Sequence, residues 1–174
     1  TEITYSYYTH TVTGGAFTGD MRLVKQGDGT LVLPNVTETY KGETNIWAGT
    51  LCFDGTMQNS RVWMNRLTKL NTVGGKFPKG LSLDYAAELN IGTPEAASTI
   101  TASDLKLGFG SIVNIDLIDG SIDKIIANKI IIEKKDWANG PQYLAPVIRI
   151  NGKTSGNYVL AEVSSIEGNI DDII

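Results

Sequence analysis

The chain has 174 residues, 41% of them hydrophobic and 20% charged, with a net charge of −4. That composition describes one ordinary folded domain rather than a disordered tail, and the negative balance argues against nucleic acid, where a basic face supplies most of the affinity. Cys52 is the only cysteine, so neither an internal disulfide nor a thiolate metal site is available.

Glycine is abundant at 19 and proline scarce at 5. Many tight turns between uninterrupted strands would produce that balance. No apolar run reaches the roughly 18 residues of a membrane helix, so no membrane insertion is expected of this segment. The chain opens on Thr1 without a charged-then-apolar leader. It reads as a mature or excised piece, with any export signal outside it.

Thr1 to Thr13 is rich in Thr and Tyr, which suits a strand. Residues 1–20 are therefore expected to form a first rung or a strand covering one end. Met21 to Lys25 reads as the next strand. Then a phrase occurs twice: Gly29-Thr30-Leu31-Val32-Leu33 returns as Gly49-Thr50-Leu51-Cys52-Phe53, 20 residues later. Between the copies, Tyr40-Lys41-Gly42-Glu43-Thr44-Asn45-Ile46 places a short strand behind a glycine turn. A period near 20 with very short strands is the mark of a solenoid.

These residues resemble the autotransporter-associated β-strand repeat, whose pattern is K-x-G-x-G-T-L-x-L followed by Y-x-G-x-T-x-I-x-x-G-T-L. Lys25, Gly27, Gly29, Thr30, Leu31 and Leu33 stand at the first set of places, and Tyr40, Gly42, Thr44, Ile46, Gly49, Thr50 and Leu51 at the second.

After Gly55 the pattern loosens. Arg61 to Met64 is a candidate strand, but Arg61 to Lys79 aligns with no repeat. Alternation resumes at Leu81–Tyr85 and Ala87–Ile91. Gly92 to Ala97 reads as one helical turn or an irregular corner. Short apolar segments follow at 104–108, 111–117, 124–127 and 129–133, and nowhere does a 3.6-residue period persist for ten residues. The later segments Leu105–Gly108, Ile112–Leu117, Gly156–Leu160 and Ser164–Asn169 resemble the closing coils of autotransporter passengers. Residues 151–174 are accordingly expected to be the C-terminal coils.

The expected fold is all-β: a single parallel β-helix domain over residues 1–174, of roughly eight coils. The resemblance implies a secreted or cell-surface protein of a bacterium. It implies a scaffold role, with neighbouring domains of a larger secreted protein as partners.

Chemistry is sparse. His10 is the only histidine, no G-x-S-x-G surrounds a serine, and nucleophilic catalysis needs an activating base. Asp116, Asp119 and Asp123 surround Gly120, but without the spacing of an EF-hand; a solvated corner is the reading. No catalytic residue, metal site or cofactor is expected. The enzyme alternative is a β-helical polysaccharide lyase or hydrolase, with Arg61, Arg66, Lys69, Lys76 and Asp84 as scattered candidates. Aromatics are the best hint of binding: Trp47, Trp63, Trp137 and Tyr143 could stack on a sugar, and Tyr40 more simply packs a corner. An extracellular glycan is thus the expected ligand class.

Overall fold

The computed structural model describes residues 2–3, 8–133, 145–152 and 156–173. The described chain forms strands, with one short 3-10 turn at Ile170–Asp172. The strands run β1 (Glu2–Ile3), β2 (Thr9–Thr11), β3 (Leu23–Lys25), β4 (Thr30–Glu38), β5 (Thr44–Ile46), β6 (Thr50–Met57), β7 (Val62–Met64), β8 (Lys69–Thr72) and β9 (Lys76–Phe77). They continue with β10 (Leu81–Leu83), β11 (Glu88–Ile91), β12 (Thr99–Leu107), β13 (Ile112–Ile118), β14 (Ser121–Ile122), β15 (Lys124–Ile132), β16 (Val147–Asn151) and β17 (Ala161–Glu167).

Every pairing between successive coils is parallel, and the register defines three walls. The first wall stacks Val24, Asn45, Trp63, Ser82, Lys106, Ile131 and Glu167. The second stacks Thr11, Val32, Cys52, Asn71, Asn90, Asn114 and Arg149. The third runs from the second halves of β4 and β6 through β9 and the first half of β12 to β15 and β17. Long strands such as β12 serve two walls, pairing with β9 at Thr101 and with β10 from Leu105. Parallel strands normally need long crossovers; here each coil is its own crossover.

Alternation decides which residues face inward. Leu31, Leu51, Leu70, Leu89 and Val113 form one buried file, each on its register partner. Ile46, Met64, Leu83 and Leu107 form another. Such burial stabilises by roughly 25 cal/mol per Å² of apolar area. On β16 and β17 the inward files open, leaving Ile150 and Ile166 about half exposed.

The all-β solenoid expected from the sequence is what the chain forms, with about six turns rather than eight. The coils are longer than 20 residues in the second half. The step along the first wall is 18 residues from Asn45 to Trp63 but 36 from Ile131 to Glu167. Gly92 to Ser98 adds a turn closed by the Thr93–Ala96 bridge, which makes that corner irregular rather than helical. Residues 119–120 add a hairpin.

The repeat phrase has a physical role at the corner after β3. The Lys25 ammonium donates to the carbonyls of Gln26 (3.1 Å), Gly27 (2.6 Å) and Ala48 (2.9 Å). Burial lowers its pKa, against the raising effect of Asp28. Gly49 takes φ +69°, and a Cβ there would lie 2.4 Å from the Gly29 carbonyl. Only glycine fits both demands.

Candidate functional site

The outward row of the second wall changes character along the stack. Val32 and Cys52 give way to Asn71, Asn90 and Asn114, and then to Arg149. Parallel register puts these side chains one above another, at roughly the 4.8 Å strand spacing. They bond in sequence. Asn90 Nδ2 donates to Asn71 Oδ1 at 2.6 Å. Asn114 Nδ2 donates to Asn90 Oδ1 at 2.5 Å and to Glu88 Oε1 at 2.6 Å. Arg149 donates to Asn114 Oδ1 at 3.3 Å, and Asn71 Nδ2 to Cys52 Sγ at 3.7 Å. Every carbonyl of this amide ladder points toward the C-terminal coils.

The ladder lies in a groove of about 650 Å³, within the usual range of ligand sites. Asp54, Glu88 and Asp116 contribute carboxylates, and Val73 and Pro94 contribute apolar surface. Asp54 Oδ1 accepts the Val73 N–H at 2.7 Å. Asp116 Oδ1 accepts from Asn151 Nδ2 at 2.8 Å. Glu88 Oε2 sits 2.9 Å from the Lys69 ammonium. Burial alone would raise the Glu88 pKa, but the Lys69 and Asn114 hydrogen bonds and the Lys69 and Arg149 charges outweigh it, so the net shift is downward. Burial pushes the Cys52 thiol up; the Asn71 bond opposes this and the Asp54 charge adds to it. A thiol so held is a poor nucleophile.

The two described tryptophans singled out from sequence lie elsewhere. Trp47 is 54% exposed at the corner after β5, where its backbone N–H donates to the Lys25 carbonyl at 2.8 Å. Trp63 belongs to the first wall, with the Arg61 guanidinium 4.9 Å above its ring. Neither lines the groove. Trp137 and Tyr143 lie outside the described residues. Tyr40 is fully buried, its hydroxyl bonded to Thr44 Oγ1 and Met57 Sδ.

Among the scattered charges, Arg61 pairs with Asp104 and Arg66 lies over Tyr85. Lys69 reaches the groove only through its pair with Glu88. Lys76, Asp84 and His10 are exposed.

The three aspartates around Gly120 have separate positions. Asp119 and Gly120, at φ +48° and +82°, form the two-residue tip of the β13–β14 hairpin, the positive-φ pair that such a turn requires. Asp123 is buried, with Oδ1 accepting the Ser98 N–H at 2.6 Å and Oδ2 the Asp116 N–H at 2.7 Å. Burial raises its pKa against those two bonds. No cluster of three metal-ligating side chains occurs among the described residues.

The amide ladder escaped the sequence reading, yet a signal exists. Leu70-Asn71-Thr72, Leu89-Asn90-Ile91 and Val113-Asn114-Ile115 each place Asn between two inward residues.

Comparison with known families matches residues 23–51 to the passenger-associated-transport-repeat. The match spans the coil from β3 to the start of β6, including the Lys25 corner. No curated protein and no solved structure matched the chain. The repeat and the stacked coils together make the chain similar to an autotransporter-passenger β-helix, and they fit a secreted β-helix module.

Proposed function

Starting from a passenger-like β-helix with a polar groove on one wall, we propose that this chain is a non-catalytic scaffold module of a secreted or cell-surface bacterial protein, with an adhesin-like, glycan-binding role. The observation that carries the scaffold part is the unbroken parallel register of the first wall, from Val24 to Glu167. A stack in which each coil rests on the next is stiff and lengthens by repetition. It can hold neighbouring domains away from a membrane.

Antibody labelling of intact bacteria that make the parent protein tests the address. Labelling without permeabilisation is expected. Labelling only after permeabilisation would remove the surface role.

One observation favours a polysaccharide-active enzyme: Asp54, Glu88 and Asp116 share the groove with Arg149. Against it, Glu88 is engaged by the Lys69 ammonium and the Asn114 amide, partners that favour a carboxylate over the protonated form a general acid needs. Incubating the protein with oligosaccharides and following new reducing ends decides between the readings. No release is expected; release abolished by Asp116→Asn would establish the enzyme instead.

A further inference from the structure

We propose that the amide ladder of the second wall binds an uncharged polysaccharide, laid along the solenoid axis across the coils of Asn71, Asn90 and Asn114. This rests on the glycan-binding part of the functional reading and gives it a place and a ligand class.

The ladder is not self-satisfied. A carboxamide carries two N–H donors and two acceptor lone pairs. The ladder bonds of Asn90 use one N–H, given to Asn71, and one lone pair, taken by Asn114. The remainder can face a ligand, and a sugar hydroxyl, which both donates and accepts, matches such a group. The polar groups recur at the coil spacing, so Asn71 to Asn114 covers roughly 10 Å, about a disaccharide. Val73 and Pro94, both in the groove lining, offer apolar surface to the C–H side of a ring.

Charge selects the class. Lys69 offsets Glu88, which leaves Asp54 and Asp116 against Arg149. A uronate or sulfated chain would be repelled. An extended peptide is also a poor fit, because peptides commonly bind by adding a strand to a free sheet edge. Here the groove lies on a sheet face, and β8, β11 and β13 already pair on both sides.

The test is isothermal titration of neutral hexose and N-acetylhexosamine oligosaccharides, with polygalacturonate, chitosan oligomers and an unstructured peptide as comparators. The proteins are the wild type, Asn90→Ala, Asn71→Asp and Trp47→Ala. Asn71→Asp is near-isosteric and keeps the acceptor for Asn90 while removing both amide donors, so it reports on binding even if Asn90→Ala disturbs the wall. Binding of a neutral oligosaccharide is expected, weakened about five- to tenfold by each groove variant, the worth of one or two hydrogen bonds, and unchanged by Trp47→Ala. Neutral-sugar binding that ignores the groove variants, or that Trp47→Ala abolishes, overturns the site while glycan binding stands. Groove-dependent binding of only a charged chain or the peptide overturns the class. No binding of any saccharide removes the glycan reading itself.

Discussion

Arg61 and Asp104 are 43 residues apart in the chain, yet their side chains meet at 2.6 Å. Between them lies Ser82, whose hydroxyl accepts from the same guanidinium at 3.0 Å. One arginine thus ties three successive coils along the edge of the first wall. Both partners are only about a quarter exposed, and charge-assisted bonds of this kind contribute more than neutral ones. Arg61→Ala is expected to destabilise by about 2 kcal/mol, and Asp104→Ala by a similar amount. Urea unfolding of the two variants and the double variant measures it. Strictly additive losses would mean that the two groups act independently.

The Lys25 ammonium caps three corner carbonyls. Lys25→Met keeps the aliphatic stem and removes every donor. The expected loss is about 2 kcal/mol, since three partly buried carbonyls then lose a charged donor. Gly49→Ala is expected to cost at least as much, because its Cβ would meet backbone oxygens at 2.4 and 2.5 Å. Thermal melts of both variants check the corner. An unchanged Lys25→Met would show that water replaces the ammonium there.

Leu67 and Ala86 adopt φ +59° and +51° at equivalent corners. Their amides donate to the next coil, to the Tyr85 and Phe109 carbonyls. Leu67 is 64% exposed, so truncation forfeits little burial. Leu67→Gly is expected to raise stability by up to about 1 kcal/mol, strain relief exceeding the entropy cost of glycine. A lowered melting temperature would refute this.

Glu38 is buried beneath the 12–17 segment, where Oε2 accepts the Phe17 N–H at 2.5 Å. Burial raises its pKa, and the Phe17 bond only partly offsets this; Asp123 is raised in the same way. The folded chain therefore binds these protons at higher pH than the unfolded chain does. Their stabilising contribution is full below the ordinary carboxyl pKa and is lost as pH rises through the raised folded values. Glu88, shifted down, behaves oppositely: its contribution is present above the ordinary value and is lost as pH falls through the lowered one. Glu38→Gln is expected to raise stability at neutral pH and to flatten the profile just above the ordinary carboxyl range. Urea midpoints across pH 4–8, roughly the window in which raised carboxyls titrate, read this out.

Much of the architecture was legible because the inward files repeat in one dimension. The Gly-Thr-Leu phrase copies a coil, and Leu31 does stack on Leu51. Arg61 to Lys79 matched no pattern, yet it forms a complete and short coil through β7, β8 and β9. Its inward residues Val62, Met64, Leu70, Thr72 and Phe77 are buried; what it lacks is the glycine corner, replaced by Leu67 in the left-handed region. The groove was hidden for another reason. Asn71, Asn90 and Asn114 are separated by 19 and then 24 residues, as the later coils lengthen. A fixed period cannot align them, and only the register of the walls brings them into one row. Tryptophans drew attention by residue type, whereas the polar row is a property of stacking.

Finally, the β13–β14 hairpin is pinched at its neck. The Asp123 N–H donates to the Asp116 carbonyl at 3.0 Å, and the Asp123 carboxylate takes the Asp116 N–H in return. Downstream, Lys124 falls straight back beside Thr99. The same Asp123 carboxylate holds the Ser98 N–H of the adjacent coil, so the base of the detour is moored to the masonry and only its two-residue tip stands free of it. New sequence can accumulate at such an outpost, altering what the rod displays while the courses above and below stay level.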